Sequence, residues 1–414
     1  MDWTSAEAAF ADVPPGARLV AGNCCGTPET LLRALGAHAE RTGGGQVLYA
    51  GLLLGDWPFA PAIRSGALTL RCWHVYGPGR RLWRDGFVEY LPLRLPDVAR
   101  TVLGEIDVAL VRVGPPDADG WCSLGPSASF AADAVAAARL VIAEVADEVP
   151  RTHGDARVHV SRIDRFVRAE GPAPAYTPPA HDPVSVEVAR RVAGIIPPES
   201  TVQLGIGAIT EALAPLLAET ARAASLRVLG MVSESMIPLV DAVTEAGHGP
   251  VQAVELLGGP ALMAYADGNP AIEMRSSRVL HDPVWLSRTL RLVSINSAVA
   301  VDLSGQVVAE TAGGSVLAGV GGSADFFEGA HLSPGGFRVI ALRSTTRRGD
   351  STIVAEHGRD DLVSIPHHSV DAVVTEHGVA WLRGRTRRER RAALAEIAAP
   401  EHREKLRARA GTGS

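Results

Sequence analysis

"STVQLGIGAITEALAPLLAETARA" (Ser200–Ala223) reads as a short β-rich run, a turn holding Gly205 and Gly207, and a helix carrying Ile209, Leu213 and Leu216 on one side. A strand that feeds a helix through glycine is the unit from which parallel α/β sheets are assembled. Glycines at such a turn let the backbone bend tightly and aim free amides at an anion or a carbonyl, with the helix dipole adding to the field. A plain strand-to-helix turn is the alternative reading of the same residues.

The pattern repeats outward from this stretch. Further on, "LRVLGMV", "LVSINSAVAVDL" and "FRVIALRST" are expected strands, and "SMIPLVDAVTEAG" is an expected helix. In the first half the expected strands are "ARLVAGN", "GQVLYAGLLL", "LTLRCWHVYG", "IDVALVRVG" and "ARLVIAEVA", with a helix at "TPETLLRALGAHAE". Each half opens alike, with strand, glycine turn and helix from Gly22 to Pro28 and from Gly205 to Thr210. The expected fold class is therefore α/β, as two similar domains each with a largely parallel sheet flanked by helices. The proline-rich "GPAPAYTPPAHDP" marks a linker at 171–183, leaving an N-terminal domain at 1–170 and a C-terminal domain at 184–414.

Composition narrows the chemistry. With 46% apolar and 21% charged residues the chain is an ordinary globular one, with no apolar run of the roughly 18 residues a membrane span would need. The opening "MDWTSAEAAFADVPPG" lacks a signal-peptide pattern, so a cytoplasmic location is expected. The net charge of −6 gives no basic footprint for nucleic acid. The arginine-rich tail from Arg383 to Arg409 reads instead as a solvated amphipathic helix, packing through Leu394, Ile397 and Leu406. Cys24, Cys25, Cys72 and Cys122 have no zinc-type or CxxC spacing and are expected as free thiols. The only lysine, Lys405, lies in that tail, which argues against Schiff-base enzymes, Walker-type phosphate loops and protein kinases. The thirteen histidines show no HExxH or similar spacing and no G-x-S-x-G occurs, so neither a metal site nor a serine-hydrolase elbow is expected.

Two further places carry candidate chemistry. In "AGVGGSADFFEGAHLS" (Ala318–Ser333) a G-x-G-x-x-A run spans Gly319 to Ala324. The continuation "DFFEGAHLSPGG" reads as turns, so dinucleotide binding is rejected and a backbone cradle for part of a ligand is kept. In "LRVLGMVSESMIPLVDAV" (Leu226–Val243) an apolar strand ends in Glu234 between Ser233 and Ser235. Local pattern leaves two readings open. Ser233 can be an N-cap with Glu234 favouring the helix start, or Glu234 can be a reactive group at the carboxyl end of a strand.

Taken together, "DVALVRVGPPDADGWCSLGPS", "VIAEVADEVPRTHG", "QLGIGAI", "LGMVSE", "SINSAVAVDLSGQV", "GVGGSADFFEGA" and "VVTEHGVAWLRG" resemble the acetyl-CoA hydrolase/transferase family of class I CoA-transferases, nearly end to end. The resemblance implies a CoA-transferase-like fold and a CoA-transferase that works by ping-pong through a glutamyl-CoA thioester on Glu234. Its substrates would be an acyl-CoA and a small carboxylic acid, with coenzyme A as substrate, no permanent cofactor, no metal and a homodimeric assembly. It places Gly205, Ile206, Gly207, Ala208 and Ile209 along the CoA channel, together with Gly319, Gly321 and Gly322. Gly321 and Gly322 become candidate oxyanion donors, Gly322 being counted with the catalytic residues. Many relatives carry asparagine where "VLHDPVW" has His281, so His281 becomes a candidate donor to the oxyanion or a general base for water. Ser323 and Ser235 also depart from the common pattern, and all three departures bear on acyl specificity. The same site working on water would be an acyl-CoA hydrolase. A non-catalytic acyl-CoA binding protein on the same fold is the alternative of another class.

Overall fold

The computed structural model describes residues 1–411. The chain forms two compact units, Met1–Thr177 with Gln252–Leu280, and Pro178–Val251 with His281 onward. The contiguous assignment of 184–414 thus differs from the observed grouping at Gln252–Leu280. That segment is tied into the first unit by backbone bonds, with Leu256 N donating to Pro126 O at 2.7 Å and Ala128 N donating to Val254 O at 3.0 Å.

The first unit holds a seven-stranded sheet in the order Arg165–Arg168, Leu140–Val145, Val108–Val113, Arg18–Ala21, Gln46–Ala50, Leu68–Cys72 and Val88–Tyr90. Every neighbouring pair is parallel. Strands covered on both faces must be apolar throughout, and "VALVRV" at Val108–Val113 is buried at all six positions. Its one charge, Arg112, is tolerated because the guanidinium pairs with the buried Glu144 and with Glu148. Strand order reverses about Arg18–Ala21, which puts a topological switch point at the carboxyl ends of Arg18–Ala21 and Val108–Val113.

The second unit is built the same way. Its strands run Gly378–Trp381, Ala372–Thr375, Phe337–Ala341, Leu292–Ser297, Thr201–Leu204 and Arg227–Ser233, parallel except for the first pair. Order reverses about Thr201–Leu204, so its switch point lies between the carboxyl ends of Thr201–Leu204 and Leu292–Ser297. The two-domain α/β expectation is met in both units, and the strands nominated from sequence are all present.

Two local expectations are corrected. "DFFEGAHLSPGG", read as turns, begins inside a helix that runs Ser323–Leu332. Gly329 is there for packing, since a Cβ would lie 2.4 Å from Leu286 Cβ, and buried Phe326, Phe327 and Ala330 anchor the helix against the core. The G-x-G-x-x-A run still does not follow a strand of the parallel sheet, because the element before it is the two-residue pairing of Thr311–Ala312 with Ser315–Val316. The basic tail is two helices, Arg387–Glu396 and Pro400–Gly411, with Leu394, Ile397 and Leu406 buried as expected. Pro400 opens the second because a proline cannot extend the first yet fits a first helical position.

Candidate active site

Glu234 is the first residue after the strand Arg227–Ser233 and is exposed, in a single 3-10 turn that leads into the helix Ile237–Glu245. The register sets how far it projects. Leu204 pairs with Gly230, so the strand runs three residues past its neighbour before reaching Glu234. Gly230, at φ +121°, is required at that pairing because a Cβ would meet Leu204 O at 2.3 Å. Where Thr201–Leu204 stops, Gly205, Ile206, Gly207 and Ala208 form a half-exposed turn and Ile209 is buried. Gly207 takes φ +127° and has nothing within 4 Å of a built Cβ, so it serves backbone conformation rather than packing.

Ser233 does not cap the helix that follows it. Its hydroxyl donates to Oε2 of Glu211 at 2.7 Å, and the Ser235 hydroxyl donates to the same oxygen. Glu211 stands on the first turn of the helix Ala208–Ala221 and is 1% exposed. Sequence reading passed over it, although an acid within the otherwise apolar "AITEALAPLL" is a break in pattern that could have drawn notice. A second polar set spans the switch point, where Gln203 Oε1 accepts from Ser294 Oγ at 2.6 Å and Asn296 Nδ2 at 3.1 Å. These bonds join "QLGIG" and "SINSA" across adjacent strands and satisfy buried amide and hydroxyl groups that would otherwise cost stability.

The glycine loop carries its own cluster. Gly319 is buried, while Gly321, at φ +61°, and Gly322 are half-exposed immediately ahead of the helix Ser323–Leu332. That helix packs on Leu292–Ser297 and Phe337–Ala341 and ends at Ser333, whose hydroxyl receives Leu292 N at the amino end of its strand. Its amino terminus therefore lies toward the carboxyl edge, the edge that also bears Glu234. His281 is 2% exposed beneath this loop, and a Cβ on Gly322 would come within 2.1 Å of its Cε1. Its Nδ1 is 3.2 Å from Oδ2 of the buried Asp325, and its ring centroid lies 4.5 Å from that of Phe326. With the Asp325 carboxylate as acceptor, Nδ1–H is the donor and Nε2 is left as a buried atom with no partner among the described residues.

Among the described residues no group of three or more His, Cys, Asp or Glu is placed to hold a metal ion, and no helix is long and apolar enough to cross a membrane. A cavity of about 920 Å³ lies within the first unit against Cys25, Pro150, Arg168 and Gly258, and none of the candidate residues lines it. Its size alone does not make it the reactive centre, because a site is recognised by convergent reactive groups.

Residues 2–174 match the acetyl-CoA hydrolase/transferase N-terminal domain, and residues 258–410 match the C-terminal domain of the same family. Over 97% of its length the chain is 33% identical to a 4-hydroxybutyrate coenzyme A transferase from Clostridium kluyveri, covering 95% of that protein. The chain belongs to the acetyl-CoA hydrolase/transferase family. It is also similar to a butyryl-CoA:acetate CoA-transferase of Anaerostipes caccae, at 31% identity over 97% of this chain and 94% of that one. Among solved structures it is similar to RipA from Yersinia pestis, with a TM-score of 0.89 and 25% identity over 99% of this chain and 97% of the other. Within this acetyl-CoA hydrolase/transferase chain, the blocks "QLGIGAI", "LGMVSE", "SINSAVAVDLSGQV" and "GVGGSADFFEGA" lie in the second unit, and "DVALVRVGPPDADGWCSLGPS" and "VIAEVADEVPRTHG" lie in the first.

Proposed function

We propose that the protein is a CoA-transferase that moves CoA between an acyl-CoA and a small carboxylic acid through a covalent thioester on Glu234. The observation that carries the reading is the position of Glu234. It is an exposed carboxylate at the carboxyl end of a parallel strand, beside a half-exposed glycine turn, with both neighbouring residues tied down. A carboxylate oxygen there can attack a thioester carbonyl and form a covalent intermediate.

One Glu234 oxygen attacks the thioester carbonyl of the acyl-CoA. The tetrahedral adduct collapses, the C–S bond breaks, and CoA leaves as thiolate from a mixed acyl-glutamyl anhydride. The thiolate then attacks the glutamyl carbonyl, and the first acid departs as carboxylate from a glutamyl-CoA thioester. A second carboxylate attacks that thioester and the steps run in reverse, returning Glu234 free and releasing the new acyl-CoA. Coenzyme A enters as part of the substrate.

Every step passes through an oxyanion, and loss of one donor to such a group costs on the order of a hundredfold in rate. The half-exposed Gly321 and Gly322 supply candidate amide donors at the start of a helix, and Gly205 to Ile209 with Gly319 are the proposed lining for CoA. The buried ring of His281 lies against Gly322, so its proposed contribution is to set the position of that amide, with Asp325 holding the ring.

Mixing with acyl-CoA should add one CoA to the intact protein mass, and acetate should then remove it with formation of acetyl-CoA. The Glu234→Gln protein should gain nothing. An unmodified wild type across a panel of acyl-CoAs would overturn the proposal. Free CoA released without any acceptor acid, at a rate that added carboxylates do not raise, would assign hydrolysis to the same glutamate.

A further inference from the structure

We propose that Glu211 is the positioning residue for Glu234, a role that rests on the reading of Glu234 as nucleophile. The residues on both sides of Glu234 are anchored to one buried oxygen. Ser233 Oγ and Ser235 Oγ both donate to Glu211 Oε2, and the two hydroxyl oxygens are 3.2 Å apart. Ser233 is the last extended residue of its strand, at φ −107° and ψ 171°, and Glu234 and Ser235 follow in the 3-10 turn; both serine hydroxyls turn inward to Glu211 while Glu234 is exposed.

Glu211 is itself held still. It is 1% exposed, its amide donates to Gly207 O at 2.9 Å, and it stands on the first turn of a fourteen-residue helix where the dipole favours a negative charge. Its other oxygen, Oε1, is buried with no hydrogen-bond partner among the described residues. A carboxylate buried with only one oxygen satisfied costs stability. An apolar residue of like size would avoid that cost but could not accept from two hydroxyls at once, as the one Glu211 oxygen does.

Two consequences follow for the chemistry. The turn that carries Glu234 is fixed relative to the glycine turn at Gly205–Ala208, because Glu211 belongs to the helix which that turn starts. The serine protons are also engaged away from Glu234, so neither hydroxyl is free to hydrogen bond to its carboxylate and blunt its nucleophilicity. Without Glu211 both effects are lost, and displacement of a reacting group by about 1 Å can cost on the order of a hundredfold in rate.

The test compares four variants of the full chain by quenched-flow measurement of CoA-adduct formation and by steady-state kinetics. Glu211→Ala should slow adduct formation and kcat by roughly 10- to 100-fold while the KM for acyl-CoA changes less than about threefold. Glu211→Gln, whose amide oxygen can accept from both serines, should recover to within about fivefold of wild type. Ser233→Ala/Ser235→Ala, which keeps Glu211 but removes both hydroxyls, should fall as far as Glu211→Ala, and serves in its place if that variant does not fold. Wild-type rates in folded Glu211→Ala or in the double serine variant would overturn the role, as would equal losses in Glu211→Ala and Glu211→Gln. Glu234→Gln separates the two levels: a CoA adduct on that protein sinks the nucleophile reading, whereas an inert Glu234→Gln beside a fast Glu211→Ala sinks only the positioning role.

Discussion

The two units answer the same architectural problem differently at the turn after their central strand. In the first, the turn from Gly22 to Pro28 is buried throughout. A Cβ on Gly22 would meet Gly26 O at 2.6 Å, and one on Gly26 would meet Ser127 Cβ at 2.9 Å. In the second, Gly205 and Gly207 have nothing within 4 Å of a built Cβ, and the turn is half-exposed. Both turns lie near a buried glutamate bonded by neutral donors. Glu255 Oε1 accepts from Asn23 Nδ2 at 3.1 Å and Ser127 Oγ at 3.0 Å, whereas Glu211 accepts from two serines that flank an exposed carboxylate. Burial pushes the Glu255 carboxyl up to about 7 and, together with Glu255, lifts the thiol of Cys24 well above the ordinary range. One topology thus yields a sealed plug in one unit and an open edge bearing an exposed carboxylate in the other. Glycine at a switch point therefore does not by itself announce a binding site, because it can be needed for close packing as well as for open backbone.

The contrast can be broken at several points. Substituting the proposed nucleophile should have the largest effect. Glu234→Gln is expected to lower turnover by about a thousandfold or more, with a melting temperature close to wild type, read by steady-state kinetics and calorimetry. Equal activity would remove the distinction between the two turns.

Next comes the sealed turn, through pH. Because the folded Glu255 carboxyl titrates near 7 rather than its ordinary 4.5, the folded protein keeps a proton that the unfolded chain has lost between those values. Stability from this group is present below about pH 4.5, is lost as pH rises toward 7, and is flat above, by an amount on the order of 3 kcal/mol. Urea titrations at pH 5 and pH 7.5 should show that difference in wild type relative to Glu255→Gln. A pH-independent difference would mean that Glu255 is charged in its site.

A smaller effect is expected from Gly22→Ala, which drives a methyl onto the Gly26 carbonyl and should cost about 1–3 kcal/mol in the same titrations. Smallest is Gly205→Ala, in open space, expected within about 0.5 kcal/mol of wild type. If the two glycine variants lose stability equally, the distinction between packed and open turns fails.

Much of the molecule was legible from one dimension. The strands came from apolar runs that must be buried on both faces of a parallel sheet, and "LRVLGMVSES" announced a carboxylate at a strand end because the run stops there. Glu211 was not legible as a clamp, since "ITEAL" reads as an ordinary first-turn acid until strand register brings Ser233 and Ser235 to it. The helix Ser323–Leu332 was missed because Gly329 lowers local propensity, and its packing against Leu286 is visible only in three dimensions. The position of His281 under Gly322 likewise joins residues about forty apart.

By itself, then, the sequence determined the α/β class, the succession of strand, turn and helix in both halves, and the carboxylate at the end of the apolar run "LRVLGMV", because these depend on periodicity and on neighbours within a few residues. Tertiary structure alone decided that Gln252–Leu280 returns to the first unit, that one glycine turn is plugged and the other open, and that Glu211 grips both sides of Glu234. Those depend on register between strands and on which groups share a buried volume, and neither is written in local pattern.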